Sequence, residues 1–102
     1  MNVNIDDKEL IKLYETGQSR KLKLPEEVVD KFMVCVQKID AANTIHDLWK
    51  DASLNFKKLQ GNSNHYSMRL TKKWRLEMEI DWENNEQTIG NFTIIDISIH
   101  YD

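Results

Sequence analysis

His65-Tyr66-Ser67-Met68-Arg69-Leu70 and Trp74-Arg75-Leu76-Glu77-Met78-Glu79-Ile80-Asp81 are the two stretches that decide the fold. In both, side-chain character alternates with a period of two, the signature of a strand with one buried and one wet face. In the first, Tyr66, Met68 and Leu70 point one way and His65, Ser67 and Arg69 the other. In the second, Trp74, Leu76, Met78 and Ile80 form the inward set; Arg75, Glu77, Glu79 and Asp81 form the outward set. Two or three residues around Lys72-Lys73 suffice to join the two as a hairpin.

Working outward, Glu83-Asn84-Asn85-Glu86 reads as a turn, and a last strand runs from about Ile89 to His100. That strand is apolar on both faces at first. It then alternates, with Ile95, Ile97 and Ile99 inward and Asp96, Ser98 and His100 outward. Upstream of the hairpin the period is helical. Asp6 is placed to cap a first helix, with Glu9 three residues on as in a capping box. Leu10, Leu13 and Tyr14 share one face of it, and Gly17 follows as a stop. A second helix starts at Pro25, with Glu26 and Glu27 suited to the positive end of its dipole. Val28, Val29, Phe32, Cys35, Val36 and Ile39 then make a continuous apolar stripe that reads as core. Thr44 can cap a short third helical turn over Ile45–Trp49, and Met1–Ile5 reads as a short strand. Helices first and an antiparallel meander afterwards predict an α+β domain, with two N-terminal helices packed on one face of a small antiparallel β-sheet. The other face then displays His65, Arg69, Arg75, Glu77 and His100.

The chain of 102 residues reads as one domain, 1–102, without repeat, linker or low-complexity tract. It is too short to combine a core with a deep substrate cavity, so an open working face fits better. Cys35, the only cysteine, has apolar neighbours and reads as a core residue. No basic region precedes an apolar run and no stretch approaches a membrane span, which points to a cytoplasmic protein. Net charge is −3, but its distribution is uneven: residues 1–55 balance at −2, residues 56–75 at +6 and residues 76–102 at −7. A polyanionic ligand responds to the local field, because screening removes contributions beyond roughly 10 Å.

A polar sheet face is ordinarily just solvated. Here the cations of the hairpin have no acids beside them in sequence, and two histidines share the outward side. Arg presents a planar fork to phosphate oxygens and Lys a point charge. RNA cleavage by its own 2′-hydroxyl needs a base, an acid for the leaving oxygen, and cations for the charge building at phosphorus. His100 titrates in the useful range as base or acid, and Tyr101 offers a stacking ring or a phenolic proton. His46, His65 and His100 lack metal-ligand spacing, and there is no Cys pair. No glycine-rich phosphate loop, nucleophile elbow or basic recognition helix is present.

Asn55-Phe56-Lys57-Lys58-Leu59-Gln60-Gly61, then Tyr66-Ser67-Met68-Arg69-Leu70, Trp74-Arg75-Leu76 and the terminal His100-Tyr101 together resemble the HigB branch of the RelE/ParE toxin superfamily. So does the opening Asp6-Asp7-Lys8-Glu9-Leu10 through Tyr14-Glu15-Thr16-Gly17. The resemblance implies a RelE-like fold of two helices on a small antiparallel sheet. It also implies a type II toxin that cleaves mRNA in the ribosomal A site, leaving a 2′,3′-cyclic phosphate without a metal or small-molecule cofactor. The implied partner is a helix-turn-helix, HigA-like antitoxin. Carried over by position, Arg75 matches the phosphate-stabilising arginine, Arg69 stands beside it, and His100 with Tyr101 matches the catalytic end of the last strand. Lys57, grouped with these catalytic residues and also expected to hold RNA, stands where many relatives have histidine, Gln60 where a lysine is usual, and His100-Tyr101 reverses the common order of phenol and imidazole. Lys58, Lys72, Lys73 and His65 are then expected to hold RNA. Two other readings are compatible with the sequence: a ParE-like inhibitor of DNA gyrase, and an inactive member that only binds RNA or protein.

Overall fold

The structure is a computed structural model that describes residues 1–59, 61 and 64–99. Its elements run β1 (Val3–Ile5), α1 (Lys8–Thr16), α2 (Glu26–Ala41), α3 (Ile45–Trp49), a 3-10 turn (Ala52–Leu54), β2 (Lys57–Lys58), β3 (His65–Arg69), β4 (Trp74–Trp82) and β5 (Gly90–Ile99). The strands form one sheet in the order β1-β5-β4-β3-β2. The hairpin and the last strand thus lie where the alternation placed them, and the class is α+β. The sheet is not wholly antiparallel, however. β1 lies parallel to β5, with Val3 opposite Phe92 and Ile5 opposite Ile94. A parallel partner for β1 requires a long crossover, and everything from α1 to β4 serves as one.

Local chemistry explains each helix end. Asp7, not Asp6, caps α1: its Oδ1 accepts the Glu9 and Leu10 backbone N–H groups at 2.8 and 3.1 Å. Asp6 is instead held in the sheet, its N–H donating to the Ile94 carbonyl. Gly17 ends the helix at φ +77°, the left-handed conformation a glycine adopts without strain. Thr44 caps α3 as part of a capping box, with Asp47 Oδ2 accepting from the N–H groups of Asn43 and Thr44.

The core lies between the helices and the inward face of the sheet. Leu10, Leu13, Val28, Phe32, Ile39, Ile45 and Leu48 from the helices meet Met68, Leu76, Met78, Ile80, Phe92 and Ile94 from the strands, all buried. Cys35 is buried among them, and that burial pushes its thiol pKa up to about 11, so it behaves as a small apolar side chain. Phe56 stacks on Tyr66 at 5.4 Å between ring centroids and meets Trp49 at 4.4 Å. This aromatic group ties α3 to β3.

β5 corrects the simple parity reading. Its partner changes from Ile94, opposite Met78, to Asp96, opposite Glu77, leaving Ile95 as the extra residue of a β-bulge. Before the bulge Phe92 and Ile94 point inward. After it, Ile97 packs on the core, while Ile95 is only half-buried and Ile99 is exposed. The stretch that reads as apolar on both faces is the segment where inward parity changes over. The bulge also sets Glu77 against Asp96. The Asp96 carboxyl is pushed up from its ordinary value by desolvation and then by repulsion from Glu77.

Two expected outcomes follow from this packing. A Cβ at Gly90 would sit 2.5 Å from Ile80 Cγ2 and 3.1 Å from Trp82 Cε3. Gly90→Ala should therefore cost about 1–3 kcal/mol by overpacking, read as a lower urea midpoint at unchanged slope. For Asp96, the folded-state pKa lies above the unfolded one, so ionisation opposes folding. Stability from this group is full below the ordinary carboxylate range and is lost as pH rises through the raised value. Asp96→Asn should accordingly be more stable than the parent at pH 7, with the difference shrinking toward pH 3 in parallel urea titrations.

Candidate nucleic-acid interface

The β3–β4 register follows from the inward residues. Met68 stands opposite Leu76 and Tyr66 opposite Met78, all four buried. The same register sets Arg69 directly against Arg75 on the outward face. Opposite residues in an antiparallel ladder lie about 5 Å apart at Cα, and like charges so placed are mildly destabilising. The register that buries the inward residues imposes the pair at that small cost.

The connecting turn adds to the same field. Leu70 and Thr71 both donate their N–H groups to the Trp74 carbonyl, at 2.9 and 3.1 Å, and Trp74 N–H reaches Thr71 Oγ1 at 3.3 Å. This closed turn carries Lys72 and Lys73 at its exposed tip. From the other side, the segment before β2 is anchored by buried Phe56. It is also anchored by Asp51, which caps the 3-10 turn and accepts Lys38 Nζ at 2.7 Å, a contact that holds the Asp51 carboxyl below its ordinary value. Asn55 follows with φ +43°, the left-handed region that asparagine tolerates better than most residues. Together these features aim Lys57 across Ser67, its register partner.

The result is an open cleft of about 560 Å³, lined by Asn55, Lys57, Ser67, Arg69, Thr71, Lys72, Lys73, Trp74 and Arg75. Five cations surround it and none of its described lining residues is acidic. Ser67 is almost wholly buried, at 1 % exposure, and so belongs to the floor.

Glu77, the first acidic residue of β4, is held apart from this cleft. Glu77 lies one rung below Arg75, with His65 Nε2 2.9 Å from its Oε1 and the Ser98 hydroxyl donating to its Oε2. The His65 contact is out of line for a hydrogen bond, and Nε2 has no well-directed acceptor among the described residues. Imidazole and carboxylate are thus in contact without a hydrogen bond between them. With both oxygens engaged and its side chain 19 % exposed, Glu77 is bound to β3 and β5 and does not line the cleft.

Of the residues singled out from sequence, Arg75, Arg69, Lys57, Lys72 and Lys73 come together in the cleft. His65 does not, being engaged with Glu77. Lys58 has the opposite strand parity from Lys57, pairs with Tyr66, and is exposed at the sheet edge outside the cleft. His100 and Tyr101 lie outside the described residues. Asn55, Ser67 and Thr71 also line the cleft without having been expected there as site residues, and Trp74, expected in the core, borders it too. Asn55 just before an aromatic residue was the one available signal, since asparagine favours left-handed turns.

The fold has counterparts among solved structures. The chain is similar in structure to a YoeB/ParE toxin from Agrobacterium tumefaciens, with a TM-score of 0.61 and 15% identity over 99% of this chain and 100% of that one. It is also similar to the YoeB–YefM complex from Staphylococcus aureus, with a TM-score of 0.58 and 20% identity over 99% of this chain and 98% of that one. A YoeB dimer from the same organism gives a TM-score of 0.56 and 19% identity, again covering 99% and 98%. At these identities the likeness establishes the fold. No curated protein matches the chain in sequence. The profile of the HigB-like toxins, described as the RelE-like toxin of the type II toxin–antitoxin system HigB, matches residues 3–96. With that match across most of its length, the chain belongs to the HigB-like family of RelE-like type II toxins.

Proposed function

We propose that this toxin is an endoribonuclease that cleaves mRNA in the ribosomal A site by attack of a ribose 2′-hydroxyl on the adjacent phosphate. The 2′-oxygen bonds to phosphorus, the 5′-oxygen leaves, and the products are a 2′,3′-cyclic phosphate and a 5′-hydroxyl end. The observation that carries the reading is the cleft itself, with Arg69 and Arg75 paired across the ladder and three lysines around them. Arg75 and Arg69 brace the charge that develops on the non-bridging oxygens, a stabilisation usually large among catalytic contributions. Lys57, Lys72 and Lys73 hold the flanking phosphates as point charges. His100, assisted by Tyr101, moves the protons. The reaction needs no metal in this scheme. An open cleft orients a flexible RNA poorly by itself, and the ribosome supplies that orientation by presenting mRNA in fixed geometry. The reading places the toxin in the cytoplasm and pairs it with a helix-turn-helix antitoxin. Its family and its likeness to the staphylococcal YoeB–YefM complex support an antitoxin partner, and the helix-turn-helix type belongs to the proposal.

Arg75→Ala should lower cleavage by roughly 100-fold or more and abolish growth arrest, with an unchanged circular-dichroism spectrum. Arg75→Lys should retain much of the RNA affinity but little of the rate, because it keeps the charge and loses the fork. Primer extension on mRNA after induction provides the readout. Intact mRNA with growth arrest would point to a different target, such as gyrase. In a salt titration of binding to single-stranded RNA, replacing Lys57, Lys72 or Lys73 singly with Ala should reduce the log–log slope by about 0.7 each. An unchanged slope would remove that lysine from the interface.

A further inference from the structure

A second depression, of about 430 Å³, lies on the other side of the β3–β4 turn, lined by Pro25, Glu27, Val28, Thr71, Lys72, Lys73 and Trp74. It shares Thr71, Lys72, Lys73 and Trp74 with the cationic cleft, so the turn forms the wall between them. The chemistry changes across that wall. On the cleft side the described lining is cationic and free of acid. On the far side the lining adds a proline, a valine and a glutamate at the start of α2.

The alternation of β4 sends Trp74 to the helix side, where it is half-buried and keeps part of its surface in solvent. Glu27, in the first turn of α2, is exposed. A carboxylate there repels phosphate, so the backbone of a polyanion is directed to the lysines and kept off the far wall. Trp74 and Pro25 both line the depression, and their apolar surfaces suit a flat, uncharged ring. Aromatic side chains bind nucleobases by stacking whatever the base. A carboxylate adds selectivity, since it accepts from an exocyclic amino group such as that of cytosine.

We propose that this depression is a nucleobase subsite for RNA crossing the β3–β4 turn. Lys72 and Lys73 hold the phosphate at the crest, Trp74 stacks the base, and Glu27 selects one that carries an exocyclic amino group. The inference rests on the reading of the adjacent cleft as an RNA phosphate site and extends it to specificity.

The test uses the full chain and two labelled 2′-O-methyl hexanucleotides, oligocytidine and oligouridine, which have the same ring size and cannot be cleaved. Fluorescence anisotropy at low salt should show oligocytidine bound roughly tenfold more tightly. Glu27→Ala should bring oligocytidine to the level of oligouridine, leaving oligouridine binding unchanged or tighter. Trp74→Leu, which keeps an apolar group against the core, should weaken both by about fivefold or more while the circular-dichroism spectrum is retained. Equal binding of the two oligonucleotides by the parent would overturn the proposal. So would a Glu27→Ala variant that tightens both alike, because Glu27 would then only repel phosphate. An unaffected Trp74→Leu variant would remove the stacking role. Arg69→Ala separates the two levels. If it abolishes binding while base preference is absent, the phosphate cleft stands and the subsite fails. If neither oligonucleotide binds the parent at all, both fail.

Discussion

The register between β3 and β4 is the constraint from which the rest follows. Burying Tyr66, Met68, Leu76 and Met78 on the helix side fixes the parity of both strands, the turn closed on the Trp74 carbonyl fixes their register, and together they set Arg69 against Arg75. A slip by one residue would turn every apolar side chain of the hairpin to solvent. The juxtaposition of two guanidinium groups is thus enforced by the hydrophobic core, whose burial free energy far exceeds the fraction of a kcal/mol that like charges cost across a ladder. A pair of arginines set side by side by strand register also suits catalysis at a phosphate, because stabilising groups must be in place before charge develops.

The other parts of the cleft are brought to this pair by separate devices. The four-residue turn closed on the Trp74 carbonyl presents Lys72 and Lys73. Buried Phe56 and the left-handed Asn55 deliver Lys57 from β2. Glu77 is restrained by His65 and Ser98 and so stays out of the cleft, while Glu79 and Asp81 lie farther along β4. Charge separation on this face comes from hydrogen bonding and register together. That explains how a chain of net charge −3 carries a positive working surface.

Much of this was legible in the sequence, for physical reasons that also mark its limits. Period-two alternation from His65 to Asp81 revealed the hairpin, its inward residues and the arginine pair, because register and parity leave little freedom once one face is buried. The stripe from Val28 to Ile39 revealed α2 in the same way. What escaped depended on interactions between segments distant in sequence. The bulge at Ile95 carries no glycine or proline to announce it and arises from how β5 meets β4. The parallel pairing of β1 with β5 depends on the whole crossover. The engagement of His65 with Glu77 is diagonal across the ladder, so strand parity put both on the outward face without showing that each occupies the other. The two-residue strand β2 is too short for any periodicity to reveal.

On the proposed function, the face bearing Arg69 and Arg75 is where RNA phosphates sit. The most direct measurement is a titration of isotope-labelled protein with a non-cleavable single-stranded RNA, followed by amide and arginine side-chain chemical shifts. Shifts concentrated at Asn55, Lys57, Ser67, Arg69 and 71–75, and suppressed by added salt, are the predicted result. Shifts confined to the outer surfaces of α1 and α2, with Arg69 and Arg75 unmoved, would contradict it.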